Sequence, residues 1–392
     1  MKVLFVTLNS FSEYSGGGIY ARQLLAFLTE VFQVTALSKS QKDSGYEAGS
    51  KTASHRSVTL RKTLLADLVS RLLMQPTFLA FHLPKIIWEA RRAKLIVFHN
   101  SRNAGLAVLL KCLFPHKPVL LCFDNIERNL AQAQAGSQRG LKRLVSLIDA
   151  ALLRWVEPWG AFRTDGCSFI TTQEKAYFGK LSPERLAWNA RITPCALPDG
   201  QPKPLVRRDQ VAPARLLFTG SFWFQPNRDA LNRLIALVKL LPPGFEVTVA
   251  GQALDTCWPD SPPPQFHCVQ NPSTQEMEGL FREADIFVCP VVIGSGMKTK
   301  IAEALAYGLP VVASEESAIG YEAMRGSEVL RVYGSLEEGA RQLVELRDVL
   351  RSETKLGIQE EAQAGFICHY GYTANAKSFQ EWVWHTNGGQ HV

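Results

Sequence analysis

Residues 285–314 read DIFVCPVVIGSGMKTKIAEALAYGLPVVAS, in the order strand, glycine loop, helix, turn, strand. Ile286 to Cys289 form an apolar run that Pro290 stops. Gly294, Ser295 and Gly296 follow in a loop that lets a ligand approach the backbone. Thr299 to Ala306 is helix-forming, Gly308-Leu309-Pro310 ends the helix, and Val311, Val312 and Ala313 begin another buried strand. Such a loop presents the unpaired N–H groups of a helix N-terminus to an anion. Lys298 and Lys300 add positive charge at that same end, against the helix dipole. The placement weakens the helix unless an anion such as a phosphate sits there. The plainer reading is an ordinary βα turn carrying two solvated lysines.

A chain of 392 residues exceeds one ordinary core, so two domains are expected. Hydrophobic residues at 46% and charged residues at 20% describe a soluble globular protein. No apolar run reaches the 18 or so residues of a spanning helix. The opening MKVLFVTLNSF resembles a short signal peptide, but glycines stand where a cleavage site would lie, so it reads as a first buried strand. Eight cysteines are scattered without a CxxC pair, several in apolar strands, as in a cytoplasmic protein with reduced thiols. The eight histidines show no metal-ligand spacing.

Charge divides unevenly. Residues 1–196 hold 26 Lys+Arg against 13 Asp+Glu, a net of +13, while residues 197–392 hold 17 against 23, a net of −6. A basic half suggests an anionic partner for the first domain: a membrane surface, a phosphorylated acceptor or nucleic acid. A solvated basic surface without a partner is the alternative.

In chain order, residues 2–8 are a strand, 9–18 a polar loop ending Ser-Gly-Gly-Gly, 19–28 an amphipathic helix and 31–37 a second strand. This βαβ opening starts a doubly wound domain, whose ligands sit beyond the carboxyl ends of the strands. The glycines do not form GxGxxG. Residues 39–62 are polar and basic and read as a mobile loop. Residues 63–94 carry apolar groups at helical spacing with interspersed cations; core packing explains them best, and a helix pair lying on an anionic bilayer is the alternative. A strand at 95–98 ends in His99, Asn100 and Ser101. Another at 119–123 leads into Asp124, Asn125, Ile126 and Glu127. Polar groups at the tip of a buried strand are placed for a cleft, although Asp124 and Glu127 also fit a capping-box variant. Residues 141–159 form a helix rich in apolar and basic residues. The Pro-rich stretch 198–204 is the clearest linker. A second strand–helix alternation begins at 215 and a helical tail closes the chain at 353–385.

Two such halves, with GSGMKTKIAEALAYGLPVVAS in the second, resemble the GT-B glycosyltransferases, specifically the retaining group 1 (GT4-like) family. The resemblance covers essentially the whole chain and is strongest over residues 215–320. FREADIFVCP with the E-A-L-A-x-G-x-P-V-V-A run carries its most specific part, and TGSFWFQPNRDAL looks like the first strand and loop of the donor domain. The resemblance implies an α/β fold of two Rossmann-like doubly wound domains facing a central cleft, with a C-terminal helix crossing back. Residues 1–196 would be the acceptor-binding domain, 197–370 the nucleotide-sugar domain and 371–392 a tail packed on the first. It implies sugar transfer from a nucleotide donor to a glycan or lipid-linked acceptor in cell-surface polysaccharide or glycoconjugate synthesis, with no metal or other cofactor. The enzyme would be cytoplasmic, at or near the inner face of the membrane.

By position, Glu303 would bind the donor ribose. Ser295, Gly296 and Met297 would pass near the sugar and diphosphate, Gly17 and Gly18 would approach the diphosphate from the other domain, and Asn271 and Ser273 would lie near the base. Gly220 and Ser221 fall at the first donor-domain strand. Three departures stand out. The first of the family's two glutamates falls at Ser295. Its diphosphate-binding Arg and Lys correspond roughly to Ser221 and Asn227, so Lys298 and Lys300, with Arg228, are expected to replace them. Its cleft histidine is absent, and Asp124 takes that place, with Glu127 next and His99, Asn100 and Asn125 as acceptor-side candidates. A nucleotide-sugar 2-epimerase shares this architecture, and the missing glutamate leaves room for a non-catalytic nucleotide-sugar-binding protein. Nucleic-acid binding is disfavoured, because no basic-aromatic module accompanies the charge.

Overall fold

The computed structural model describes residues 1–13, 15–40, 55–186, 189–199, 212–294, 296–351 and 355–388. Two compact units emerge: unit 1 comprises Met1–Cys195 with Ala376–Val392, and unit 2 is Ala196–Asn375.

Unit 1 runs β1 (Lys2–Thr7), α1 (Gly16–Thr29), β2 (Gln33–Lys39), β3 (His55–Leu60), α2 (Leu64–Leu72), α3 (Leu83–Arg92), β4 (Leu95–His99), α4 (Ala104–Leu113), β5 (Val119–Cys122), α5 (Glu127–Ser137), α6 (Gly140–Arg163), β6 (Gly166–Phe169), α7 (Thr172–Leu181), α8 (Pro183–Leu186) and β7 (Ala190–Ile192). The strands pair in parallel in the order β3-β2-β1-β4-β5-β6-β7. Central strands such as Leu95–His99 and Val119–Cys122 are buried at every position. That explains their continuous apolar runs, since helices cover both faces of a parallel sheet.

Unit 2 follows with β8 (Ala214–Ser221), α9 (Gln225–Val238), β9 (Phe245–Gln252), β10 (Phe266–Gln270), α10 (Thr274–Glu283), β11 (Ile286–Cys289), α11 (Thr299–Ala306), β12 (Val311–Ser314), β13 (Leu330–Tyr333), α12 (Leu336–Leu350), α13 (Lys355–His369) and α14 (Tyr372–Thr386). Its order is β10-β9-β8-β11-β12-β13. Each sheet reverses direction beside its first strand, between β1 and β4 and between β8 and β11. Ligands of doubly wound sheets bind at such switch points. Both units are Rossmann-like.

Two expectations need correction. The stretch 39–62 is not all loop: residues 55–60 form edge strand β3, parallel to β2, while residues 41–54 lie outside the described set. Within β3 only Leu60 is buried, so the sequence shows no alternation to mark it. Core packing of residues 63–94 also fails for α2, where only Ala66 and Ser70 are buried. Of the 198–204 linker, residues 200–204 lie outside the described set.

Most of α14 belongs to unit 1. Phe379 is fully buried with its ring 5.9 Å from Phe27 and 5.6 Å from Trp382. Trp382 Nε1 donates to Asn189 Oδ1 at 3.0 Å, and Gln380 Nε2 donates to the Phe27 carbonyl at 2.9 Å. Truncating a buried aromatic leaves a cavity that costs about 3–5 kcal/mol. Phe379→Ala is therefore expected to lower the stability of unit 1 by about that amount in urea unfolding; a loss below about 1 kcal/mol would show that α14 is not part of its core.

Candidate functional site

Each switch point carries a polar cluster. In unit 1, Thr7 ends β1 and His99 ends β4, and Thr7 Oγ1 lies 2.9 Å from His99 Nδ1. Burial drives the His99 pKa down to about 3, so the ring is neutral at pH 7. Its Nε2 faces Asp124 Oδ2 at 3.6 Å. The Asn100 carboxamide donates to both oxygens of Asp124, at 2.9 and 3.1 Å, and to Glu127 Oε1 at 3.2 Å. To do so Asn100 adopts φ 75°, a left-handed backbone that non-glycine residues hold only under constraint.

Glu127 Oε2 also accepts from Arg102 Nε at 2.8 Å. Arg102 reaches on to Asp149 Oδ2 at 2.8 Å, and Asp149 takes both Arg71 Nε and Nη2 at 3.0 Å. Burial works against the Arg102 charge, but Glu127 and Asp149 outweigh it. Glu157 Oε1 accepts from Ser101 Oγ at 2.6 Å and from the Glu127 backbone N–H at 2.8 Å.

Burial raises these carboxyls. Asp124 is pushed up to about 6 against the Asn100 hydrogen bonds. Glu127 is raised by burial and by its neighbour Asp124, against Arg102. Glu157 reaches about 7. An acid poised near neutrality can take or give a proton within a catalytic cycle. The capping-box reading of Asp124 and Glu127 does not hold: α5 starts at Glu127 itself, after Ile126, with no side-chain cap.

Gly17, in the first turn of α1, presses on this cluster. A methyl group there would come within 2.9 Å of Asp124 Oδ2. Gly18 is spent otherwise, with its N–H donating to the helix cap Ser15 Oγ at 3.2 Å. Asn125 contributes its backbone carbonyl, which accepts from Ser101 Oγ at 3.4 Å.

In unit 2, β11 passes through the glycine loop into α11. Gly294 and Gly296 have φ 132° and 74°, conformations that a side chain would strain. Ser295 lies outside the described residues. Neither lysine is solvated as the plainer reading has it. Lys298 Nζ donates to the carbonyls of Gly294 at 3.1 Å and Gly296 at 2.9 Å, tying the loop to its own helix. Lys300 Nζ donates to Asn227 Oδ1 at 2.9 Å and lies 4.8 Å from the Phe218 ring centroid. Asn227 Nδ2 in turn donates to the Ser221 carbonyl at 2.7 Å, and a methyl on Gly220 would sit 3.1 Å from Lys300 Nζ. Gly220, Ser221, Asn227 and Lys300 thus form one group. Burial lowers the pKa of both lysines. Tyr321 holds the helix start, donating from its hydroxyl to the Lys298 carbonyl at 2.8 Å and accepting from Ala302 N at 2.9 Å. Glu303 stands three residues beyond Lys300, and its charge supports that of Lys300. Met297 is half-buried against the core of unit 2.

Three further expected residues lie apart from this group. Arg228 does not join the lysines: its Nε donates to the Phe222 carbonyl at 2.6 Å and its Nη2 to Thr256 Oγ1 at 3.0 Å. Asn271 and Ser273 lie past β10, the edge strand separated from β8 by β9, and Ser273 caps α10 in a capping box with Glu276. Sequence reading missed Thr7, Arg102, Asp149 and Glu157. A signal for the last two exists: they are the sole acids in residues 140–163, a stretch otherwise apolar and basic.

Residues 213–348 match the family model described as glycosyl transferases group 1. Among solved structures, sucrose-phosphate synthase from Thermosynechococcus elongatus superposes with TM-score 0.69 at 15% identity, covering 97% of this chain and 98% of that one. The lipopolysaccharide outer core galactosyltransferase WaaB gives TM-score 0.67 at 10% identity, covering 98% and 99%. Anabaena HepE in complex with UDP gives 0.65 at 11%, covering 97% and 99%. At such identities the likeness is one of fold. A search of curated protein sequences gives no match. The architecture is thus that of the two-domain GT-B proteins. Within unit 2, residues 213–348 match the group 1 glycosyl transferase model, and the chain as a whole has the GT-B fold.

The raised carboxyls give a pH signature. A carboxyl whose folded pKa exceeds its unfolded value stabilises below the unfolded pKa and loses that contribution as pH rises through the folded one. For Glu157 the window runs from its ordinary 4.5 to about 7, worth on the order of 3 kcal/mol. His99 acts oppositely, costing stability as pH falls below 6.5. Glu157→Gln keeps the Oε1 acceptor and removes only the titration. The wild-type loss of stability between pH 5 and pH 8 should therefore shrink in this variant, as read by urea midpoints; equal losses in both proteins would refute the assignment.

Proposed function

We propose that the chain transfers a sugar from a nucleotide-sugar donor held by unit 2 to a saccharide or lipid-linked saccharide acceptor served by unit 1, with retention at the anomeric carbon. The work belongs to cell-surface polysaccharide or glycoconjugate synthesis on the cytoplasmic side, and the basic surface of unit 1 suits contact with an anionic membrane. One observation carries the reading: Lys300 Nζ stands 2.9 Å from Asn227, the position where the resembling family places a diphosphate-binding lysine. The cation is supplied from α11 instead of α9 and occupies the same neighbourhood, beside Gly220 and the glycine loop.

In this reading the bond between the anomeric carbon and the diphosphate oxygen breaks, and the acceptor oxygen bonds to that carbon on the same face. The acceptor proton passes to the departing diphosphate or to Asp124. Lys300 stabilises the charge that grows on the leaving group, the largest electrostatic task of the reaction. Lys298 joins it by releasing the Gly294 and Gly296 carbonyls, and the first-turn N–H groups of α11 add their dipole. Glu303 receives the ribose hydroxyls, Gly296 and Met297 border the sugar, and Ser295 is kept in that set. No metal is invoked, because the lysines meet the diphosphate charge. Asp124 is preferred to Glu127 for the proton, since Arg102 already engages Glu127.

Lys300→Ala is expected to lower kcat by about 100-fold or more. Adding Asn227→Lys to that variant should restore much of the loss, because the new ammonium returns to the same neighbourhood. Near-normal turnover in Lys300→Ala would end the proposal for this residue. Full activity in Asp124→Asn with loss in Glu127→Gln would transfer the proton role to Glu127. A thermal-shift screen against UDP-, GDP-, ADP- and dTDP-sugars finds the donor. Stabilisation without transfer or hydrolysis would indicate a binding protein, and epimerised donor without any acceptor a 2-epimerase.

A further inference from the structure

We infer that the outer faces of α6 and α2 form a docking surface for an anionic lipid bilayer. α6 is 24 residues long, about 36 Å at the ordinary helical rise. Its inner face packs through Leu153, Val156 and Gly160. Its outer face carries Leu141 (76% exposed), Leu144 (54%), Ile148 (40%), Trp155 (73%) and Trp159 (49%). Those positions recur at three, four, seven and four residues, a single stripe along the helix. Water-exposed aromatic and aliphatic side chains in one line are costly unless something covers them.

The charge flanking this stripe says what covers it. Both acids of α6, Asp149 and Glu157, are buried and hydrogen-bonded inward. The exposed charged residues of α6 are therefore all cations: Lys142, Arg143, Arg154 and Arg163. Among the described residues, Lys142, Arg143 and Arg154 have no carboxylate within ion-pair distance, and Arg154 lies 5.7 Å from the Trp155 ring centroid. α2 carries a similar apolar row of Leu64 (90% exposed), Leu68 (59%) and Leu72 (75%), led in by exposed Arg61 and by Lys62, which pairs with Asp67 at 3.6 Å. The Arg71–Asp149 bidentate pair joins the two helices, next in sequence to Leu72 and Ile148.

A second copy of the chain docking about a two-fold axis would set these cations against themselves. A membrane rich in acidic headgroups accepts them, at about 1 kcal/mol for each Lys or Arg near the surface. Leucine and tryptophan then enter the headgroup–acyl boundary, as in amphipathic helices that lie in the interface plane. Lying on the surface suits the fold, since no described helix is long and apolar enough to cross a membrane. This surface sharpens the membrane contact proposed above and does not depend on sugar transfer.

Co-sedimentation with vesicles tests it. The full chain is expected to pellet with mixed phosphatidylglycerol–phosphatidylcholine vesicles, far less with phosphatidylcholine alone, and less as salt rises. Trp155→Ser with Trp159→Ser should cut partition by about tenfold, and Arg143→Glu with Arg154→Glu should do the same. Neither pair should alter the thermal shift given by the nucleotide sugar, which also reports that the variants fold. No binding, or equal binding to neutral and anionic vesicles, would overturn the inference. So would a concentration-dependent dimer that the tryptophan substitutions abolish, which would assign the face to a second copy. Vesicle binding without any donor thermal shift would leave this surface standing while counting against the transferase reading of unit 2.

Discussion

One carboxamide organises the first unit. Asn100 donates to Asp124 and Glu127 at once, and both carboxylates are buried. Placing two such groups together out of water is unfavourable unless each oxygen finds a donor. The strand order meets that condition by setting the tips of β4 and β5 side by side. Asn100 leaves β4 with a left-handed backbone that aims its amide across the gap, while Arg102 continues the chain of charge to Asp149 and Arg71. The raised pKa values of Asp124 and Glu157 are the residue of that compromise: neighbouring donors hold the groups in place without fully replacing water.

The two units solve opposite problems with the same topology. Residues 1–196 carry a net charge of +13, yet their switch point is lined by carboxylates. Residues 197–392 carry −6, yet their switch point holds two half-buried lysines. Bulk charge reports on outer surfaces, where the exposed cations of α6 sit. The sites follow strand tips and loops. In unit 2 the lysines are held by neutral partners, the Asn227 carboxamide and two loop carbonyls. Among the described residues, neither lysine is tied up in a salt bridge there.

Most of the architecture is legible in the sequence because buried parallel strands leave unmistakable marks. IFVC, VVAS and LIVFH are apolar at nearly every position, and each is buried throughout. β3 escapes because an edge strand with one buried residue has no pattern to show. The leucines of α2 mislead because helical apolar spacing records an amphipathic face without saying what lies against it. At the sites, local motifs place Lys300, Asp124 and Glu127. Partners drawn from distant segments are invisible: Arg71 and Asp149 stand 78 residues apart, and Thr7 and His99 stand 92 apart. The meeting of Asn227 and Lys300 across 73 residues is likewise written only in three dimensions.

The return of α14 has a consequence for how the chain acquires its shape. The bond from Gln380 to the Phe27 carbonyl spans 353 positions, and all of unit 2 intervenes. Closing so long a loop in an open coil is slow and entropically demanding. A folded insert shortens the gap, since it brings its own entry and exit segments together, as Leu197 and Tyr370 are brought together here by a backbone bond of 3.0 Å. The half that is translated first is thus completed last, and the later segment serves as its internal scaffold.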